Sequence, residues 1–218
     1  MYKLAVFDMD GTILNSIDDL ADSCNHALAE FGYPAHEVSE YFYFCGNGAR
    51  MLVKRAMPES EREDDAQVDR VLATYSEWYN AHSAIKTAPY PGMVETLKRL
   101  KQNGVSLAVV SNKPDAATRS LAGLYFDGLF DVVFGQREGV PIKPAPDAVF
   151  EAMELLGVSP AETAYFGDSG VDISTGKNAG VFTTGVLWGF RPKSELESAG
   201  ADRTIERPEE IADVVLNG

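Results

Sequence analysis

Residues 3–12 read Lys-Leu-Ala-Val-Phe-Asp-Met-Asp-Gly-Thr, a short apolar run that ends abruptly in two acidic residues and a glycine. Apolar runs of this length are typical of strands buried inside a sheet. Asp8 and Asp10 lie two residues apart, so a regular strand would place both on one face, and Gly11 allows the chain to turn directly after them. The stretch predicts a buried strand that carries two carboxylates at its carboxyl end.

The same pattern recurs farther along the chain. Ser106–Val110 is followed by Ser-Asn-Lys-Pro, and Ala164–Phe166 is followed by Gly-Asp-Ser-Gly. Two more β-prone stretches occupy residues 131–134 and 181–186, and helix-like segments occupy residues 92–102, 115–124, 146–156 and 171–178. Alternating short strands and amphipathic helices predict an α/β fold with a doubly wound parallel sheet.

Residues 14–88 interrupt this alternation. Apolar side chains recur at helical spacing from Ile17 to Phe31 and from Val68 to Tyr79, and a third helix is predicted between Gly48 and Met57. Tyr90-Pro-Gly marks the return to the strand–helix pattern. We therefore predict an α/β core domain, residues 1–13 and 89–218, with an inserted all-helical cap domain, residues 14–88.

Composition narrows the possible partners and location. The chain has 33 acidic and 19 basic residues and a formal net charge of -14, which argues against nucleic acid or an anionic membrane as a partner. Two cysteines are too few for a disulfide scaffold and fit a reducing compartment. No apolar run approaches the roughly 20 residues of a membrane span, and an acid at position 8 comes too early for a signal peptide. We expect a cytoplasmic monomer or homodimer.

Polar side chains follow three of the predicted strands. Asp8 and Asp10 follow the first, Ser111 and Asn112 follow the second, and Asp168 follows the third. Ligands of open parallel sheets bind beyond the carboxyl ends of the strands, so we expect these residues to meet.

These residue types suit phosphoryl transfer. Of two neighbouring carboxylates, such as those of Asp8 and Asp10, one can act as a nucleophile and the other as an acid and base. Asp168 adds oxygen ligands of the kind that Mg²⁺ prefers. Ser111 offers a hydroxyl, and Lys143 offers a compact cation that can neutralise phosphoryl charge.

In this order the motifs resemble those of the haloacid dehalogenase (HAD) superfamily of phosphohydrolases. The resemblance is strongest to the phosphoglycolate phosphatase-like branch, which has a Rossmann-type core and a helical, C1-type cap. The main matching stretches are Asp-Met-Asp-Gly-Thr (8–12), Val-Val-Ser-Asn-Lys-Pro (109–114), Lys-Pro-Ala-Pro-Asp (143–147) and Gly-Asp-Ser-Gly-Val-Asp (167–172), with less specific matches at 45–50, 90–92 and 185–191.

The resemblance implies a role for each site residue. Asp8 is expected to attack phosphorus and form an aspartyl-phosphate, and Asp10 to protonate the leaving alkoxide and then activate the hydrolytic water. Ser111 and Lys143 are expected to hold the phosphoryl oxygens. The implied Mg²⁺ site consists of Asp8, the backbone carbonyl of Asp10, Asp168 and Asp172, the last of which either assists metal-bound waters or orients Lys143.

Substrate choice is expected to reside mainly in the cap. Arg50, in Gly-Asn-Gly-Ala-Arg (46–50), is a candidate for binding a second anionic group of the substrate, although a solvated arginine on a helix face fits the sequence equally well. Asn112 and Lys113 are candidates for contacting the leaving group.

The sequence thus predicts a Mg²⁺-dependent hydrolase of a small phosphorylated metabolite, with 2-phosphoglycolate as the first candidate. The alternatives are a phosphosugar mutase of the β-phosphoglucomutase type, a pyrophosphatase or nucleotidase of the same fold, and a non-enzymatic partner-binding protein.

Overall fold

A parallel sheet of six strands forms the centre of the fold. The strands of the chain are β1 (Leu4–Phe7), β2 (Leu14–Asn15), β3 (Ala88–Pro89), β4 (Ser106–Pro114), β5 (Val132–Gln136), β6 (Thr163–Gly167), β7 (Phe182–Val186) and β8 (Arg203–Ile205). The six-stranded sheet has the order β5-β4-β1-β6-β7-β8 and each neighbouring pair is parallel, while β2 and β3 form a separate two-stranded sheet. The predicted α/β class and parallel sheet are confirmed.

Helices cover both faces of this sheet. The helices of the chain are α1 (Ile17–Glu30), α2 (Val38–Phe44), α3 (Ala49–Ala56), α4 (Asp65–His82), α5 (Met93–Gln102), α6 (Asp115–Phe126), α7 (Asp147–Leu156), α8 (Gly170–Ala179), α9 (Lys193–Ser198) and α10 (Glu210–Asn217). Alternate residues of β1 point to opposite faces. Ala5 and Phe7 pack into a core with residues of α5, α6 and α10, whereas Leu4 and Val6 pack into a second core with residues of α7 and α8. This arrangement is the doubly wound architecture.

The computed structural model describes every residue from Met1 to Gly218, and the chain divides into two compact units. The core unit comprises Met1–Leu14 and Pro89–Gly218 and contains the six-stranded sheet. The helical unit comprises Asn15–Ala88 and contains α1 to α4. No helix in the chain combines the length and the apolar character that crossing a membrane requires.

The C-terminal elements β8, α9 and α10 were not predicted from the sequence. Strand β8 has only three residues, of which only Ile205 is buried, so it is too short to show an alternating pattern. Strand β4 is longer than predicted and continues past Val110 to Pro114. Its pairing with β5 shifts register between Val110 and Pro114, so the polar residues 111–113 lie in an irregular segment of the strand and not in a loop after it.

Candidate active site

Three neighbouring strands bring the predicted site residues to one edge of the sheet. Strand β1 lies between β4 and β6, and Phe7 is paired with Val109 on one side and with Phe166 on the other. Asp8 follows Phe7 directly, and its N–H donates to the carbonyl of Phe166 at 3.0 Å. Asp168 directly follows the last residue of β6. The site therefore lies at the carboxyl ends of the central strands, as expected for a parallel sheet.

Three buried carboxylates and one buried ammonium form the centre of the site. Oxygens of Asp8, Asp168 and Asp172 lie within 4.8 Å of one another. Lys143 Nζ lies 2.8 Å from Asp8 Oδ1 and 2.6 Å from Asp172 Oδ1, and the exposed fraction of its side chain is 4%. When all four groups are ionised, the cluster carries two negative charges in excess.

Burial and charge crowding shift the pKa values in this cluster. Burial raises the pKa of Asp8 to about 6, with Lys143 opposing that rise. Burial and the neighbouring carboxylates of Asp172 and Asp8 raise the pKa of Asp168 well above its usual value. Burial lowers the pKa of Lys143, but Asp172 and Asp8 outweigh burial, so that this pKa is raised well above its usual value. The neighbouring carboxylates therefore favour the charged form of the Lys143 ammonium, and this one positive charge is shared by three carboxyl groups.

The chemistry of this donor set fits Mg²⁺. Carboxylate oxygens are the ligands that this hard cation prefers, and a divalent ion would balance the excess charge of the cluster. Asp172 is the weakest candidate for a direct ligand, because its two oxygens are held tightly, one by the charged Lys143 at 2.6 Å and the other by the Ser169 hydroxyl at 2.5 Å. The oxygens of Asp168 accept only from uncharged donors, at 3.2 and 2.8 Å.

Asp172 is held in place by the start of α8. Ser169 is the N-cap residue, and its hydroxyl and N–H donate to Asp172 Oδ2 at 2.5 and 3.1 Å. Asp172 is the third residue of the helix, so the pair forms a capping box. The other oxygen of Asp172 accepts from Lys143, which makes the helix start a support for the lysine.

A second support surrounds Asp168. Thr12 donates its hydroxyl to Oδ1 at 3.2 Å, and the N–H of Phe190 donates to Oδ2 at 2.8 Å. A Cβ atom added at Gly11 would lie 2.3 Å from Asp168 Oδ2, and one added at Gly189 would lie 2.2 Å from Asp168 Cβ. These supporting residues were missed by sequence reasoning. Thr12 and Gly189 lie within the matching motifs, but nothing in the sequence shows that they contact Asp168.

The irregular segment of β4 presents the next three polar residues. Ser111, Asn112 and Lys113 lie opposite the single residue Gly135 of β5, which is a bulge-like arrangement. A Cβ atom on Gly135 would lie 2.6 Å from the carbonyl oxygen of Lys113, so the close approach requires glycine. All three polar residues are buried.

Asn112 and Lys113 contact other site residues. The side-chain amide of Asn112 donates to the carbonyl of Lys143 at 3.1 Å and accepts from the N–H of Lys143 at 2.8 Å. Lys113 Nζ donates to both oxygens of Asp10, at 2.9 and 3.0 Å. The structure thus joins Asp10 to Lys113, and Asn112 to the segment that carries Lys143.

Arg50 belongs to the helical unit and lies at the start of α3. Its guanidinium forms ion pairs with Asp65 at 2.9 Å and with Asp69 at 3.1 Å, both on α4. The other predicted site residues all belong to the core unit.

Comparisons with known proteins agree on one family. The sequence model of the family described as haloacid dehalogenase-like hydrolase matches residues 5–186. A phosphoglycolate phosphatase of Aquifex aeolicus (strain VF5) is 32% identical over 216 residues, covering 99% of this chain and 97% of the relative. Phosphoglycolate phosphatase 1 of Pseudomonas aeruginosa is 35% identical over 200 residues, covering 88% of this chain and 73% of the relative.

Solved structures have the same architecture. The crystal structure of a candidate phosphoglycolate phosphatase from Lactobacillus delbrueckii subsp. bulgaricus superposes with a TM-score of 0.93 at 36% identity, covering 98% of each chain. A candidate β-phosphoglucomutase from Bacteroides vulgatus superposes with a TM-score of 0.78 at 22% identity, covering 97% of this chain and 86% of the other. The second likeness extends to the fold alone.

Proposed function

Because this chain belongs to the haloacid dehalogenase-like hydrolase family, we propose that its core site hydrolyses small phosphate monoesters through a covalent aspartyl-phosphate. The observation that carries the proposal is the buried cluster of Asp8, Lys143, Asp168 and Asp172 at the carboxyl end of the central strand. A nucleophilic carboxylate, a fixed ammonium and a metal-binding pair of carboxylates are the groups that phosphoryl transfer requires.

The first half of the reaction transfers the phosphoryl group to Asp8. An oxygen of the Asp8 carboxylate attacks phosphorus, and the bond between phosphorus and the ester oxygen breaks. The leaving alkoxide takes a proton from Asp10 and departs as an alcohol. Ser111 and Lys143 hold the phosphoryl oxygens during the transfer.

The second half releases phosphate. Asp10, now ionised, accepts a proton from a water molecule, whose oxygen attacks the phosphorus of the aspartyl-phosphate. The bond between phosphorus and the Asp8 oxygen breaks, which restores the Asp8 carboxylate. Both side chains return to their starting protonation states, so the cycle is balanced.

Asp8, the backbone carbonyl of Asp10 and Asp168 would hold Mg²⁺, which supplies charge stabilisation at the phosphoryl oxygens when bound. Asp172 orients Lys143, since its carboxylate is fixed by Ser169 and accepts from the lysine. The side chain of Asn112 is hydrogen-bonded to the backbone of Lys143, and Asn112 is thus a positioning residue for that lysine.

The substrate that we propose is 2-phosphoglycolate. Support comes from full-length relatives named for that activity, at 32% and 33% identity. We also propose that the helical unit, Asn15–Ala88, serves as the cap domain and takes part in substrate choice. Arg50 remains a predicted ligand for the substrate carboxylate, in competition with Asp65 and Asp69.

Asp8→Asn tests the covalent mechanism. We expect turnover of an aryl phosphate and of 2-phosphoglycolate to fall by at least about 1,000-fold, because the amide is a poor nucleophile. The thermal midpoint should not fall, since the amide has nearly the same shape and the change removes one of the two excess negative charges of the cluster, which offsets the weaker contact with Lys143. Near-normal turnover by the variant would contradict the covalent mechanism.

A panel of substrates that includes glucose 1-phosphate and pyrophosphate would separate a monoesterase from a mutase or a pyrophosphatase. An isomerised sugar phosphate among the products would indicate a mutase.

A further inference from the structure

The contact between Lys113 and Asp10 gives the site a feature that hydrolysis alone does not explain. Lys113 Nζ binds both oxygens of the Asp10 carboxylate, at 2.9 and 3.0 Å. The exposed fraction is 2% for the Lys113 side chain and 18% for that of Asp10. The ammonium is therefore removed from water, whereas the carboxylate retains access to it.

The proposed reaction needs Asp10 at the ester oxygen of the substrate. In the structure, both oxygens of Asp10 face Lys113. A buried ammonium that loses its counter-charge incurs a large desolvation penalty. Lys113 can therefore release Asp10 at low cost only when another anion takes the place of the carboxylate.

Lys143, the other lysine of the site, is poorly suited to such an exchange of carboxylate partners. Lys143 lies between Asp8 and Asp172, at 2.8 and 2.6 Å, and Asn112 fixes its backbone. Lys113 is ion-paired with Asp10, whose carboxylate is partly exposed, whereas both carboxylates that bind Lys143 are buried. Of the two ammonium groups, Lys113 is thus the one that is suited to an exchange of partners.

We propose that Lys113 is a specificity-determining residue that exchanges the Asp10 carboxylate for a carboxylate on the leaving group of the substrate. The inference rests on the proposed phosphatase function and deepens it by naming the substrate class, which is phosphate monoesters with an anionic leaving group. Binding of such an ester gives Lys113 a new counter-charge and frees the Asp10 carboxylate, which takes up a proton from solvent and turns toward the ester oxygen as the acid of the first step. Asp10 returns that proton to solvent when it goes back to Lys113 after the cycle. An ester with a neutral leaving group offers no replacement, so Asp10 stays on Lys113 for more of the time.

A matched pair of substrates tests the exchange. 2-Phosphoglycolate and 2-hydroxyethyl phosphate differ by a carboxylate in place of a hydroxymethyl group, and both have alkyl leaving groups. We expect the unaltered enzyme to prefer 2-phosphoglycolate in kcat/KM by about 10- to 100-fold, the range of one charge-assisted hydrogen bond. Lys113→Met should reduce that preference to less than about threefold, by raising KM for 2-phosphoglycolate and by raising kcat for 2-hydroxyethyl phosphate, on which the lysine no longer holds Asp10.

Two other variants make the test specific. Lys113→Arg keeps the charge and should retain most of the preference. Lys98→Met removes an exposed lysine of α5 and should leave the preference unchanged. If the thermal midpoint shows that Lys113→Met does not fold, two other measurements replace it. One is the substrate preference of Lys113→Arg, and the other compares inhibition of the unaltered enzyme by glycolate with inhibition by ethylene glycol. Stronger inhibition by glycolate is expected.

The outcomes separate this inference from the proposed function. Equal loss on both substrates in Lys113→Met would show that the lysine only positions Asp10, and an unaltered enzyme without a preference would also overturn the exchange. In either case a phosphatase that depends on Asp8 would still stand. Collapse of the preference in Arg50→Ala but not in Lys113→Met would assign the carboxylate to Arg50. If the unaltered enzyme hydrolysed no monoester at all, the proposed function itself would fail.

Discussion

Asp168 is surrounded so closely that even one added methyl group would disturb it. A Cβ atom on Gly189 would lie 2.2 Å from Asp168 Cβ and 2.5 Å from the carbonyl oxygen of Gly11. The backbone atom cannot move aside as a flexible side chain can. The loop that carries Gly189 also donates the N–H of Phe190 to Asp168, so a shift of the loop would move a carboxylate of the site.

Gly189→Ala is therefore expected to impair both stability and metal use. We expect the free energy of unfolding to fall by about 1–3 kcal/mol, the usual cost of overpacking. The Mg²⁺ concentration that gives half-maximal activity should rise, because Asp168 is displaced. The control is Gly123→Ala in the exposed interior of α6, where an added Cβ meets nothing within 4 Å. That change should stabilise by about 0.5–1 kcal/mol. Equal thermal midpoints for the two variants would contradict the packing argument.

At the scale of single residues, the sequence predicted which side chains belong to the site better than it predicted which residues those side chains contact. Asp8 and Asp168 were identifiable because polar residues that follow buried strands stand out against the apolar runs. The contact of Lys113 with Asp10 joins residues 103 positions apart, and no local pattern encodes it. Asn112 has the same limitation. Its side chain holds the Lys143 backbone 31 positions away, and its contact with the leaving group stays a prediction.

At the scale of elements, helix α1 is joined to the last residues of the helical unit by one buried carboxylate. Asp19 Oδ2 accepts from the N–H groups of Ile85, Lys86 and Thr87 at 3.1, 3.0 and 2.8 Å, and from the Thr87 hydroxyl at 2.7 Å. Only 2% of Asp19 is exposed. The segment that follows α4 has little regular structure of its own, so this carboxylate fixes its path.

Asp19→Asn should weaken this attachment. The amide nitrogen is a donor and would face backbone donors, so we expect a loss of about 2–3 kcal/mol, the range for hydrogen bonds to a charged group. Urea unfolding followed by circular dichroism, with limited proteolysis of residues 83–88, measures the effect. Asp22→Asn on the same helix is the matched control. It removes only an exposed ion pair with Lys86 and should change the midpoint little. Similar losses in the two variants would show that burial of the carboxylate is not the cause.

The predictability of elements followed their length and periodicity. The 18 residues of α4 show a long apolar stripe, and β1 is a complete apolar run, so both were predicted. The short elements β8 and α9 have three and six residues, too few for a period to emerge. The end of β4 was misjudged because its polar residues look like a turn, whereas pairing with β5 resumes at Pro114.

At the scale of the whole molecule, the acidic composition and the candidate metal site predict different responses to salt. A net charge of -14 means that any salt stabilises the folded chain by screening repulsion. A specific site adds stability only for the ion that it binds, because binding to the native state alone shifts the folding equilibrium. The excess of two negative charges among Asp8, Asp168, Asp172 and Lys143 lies in a buried cluster, where screening by monovalent salt is weak.

Mg²⁺ should therefore raise the thermal midpoint more than NaCl of equal ionic strength. At a concentration 100 times the dissociation constant, the expected gain is about 2.7 kcal/mol, which corresponds to about 5–10 °C for a chain of this size. Addition of a chelator should remove the gain and abolish turnover of 2-phosphoglycolate. Asp168→Asn should lose the difference between the two salts but keep the part due to screening, since one ligand and one negative charge are gone. If Mg²⁺ and NaCl raised the midpoint equally in the unaltered protein, the carboxylate cluster would not be a metal site. Its excess negative charge would then have to be relieved by protonation of Asp8 or Asp168, because burial raises the pKa of both acids.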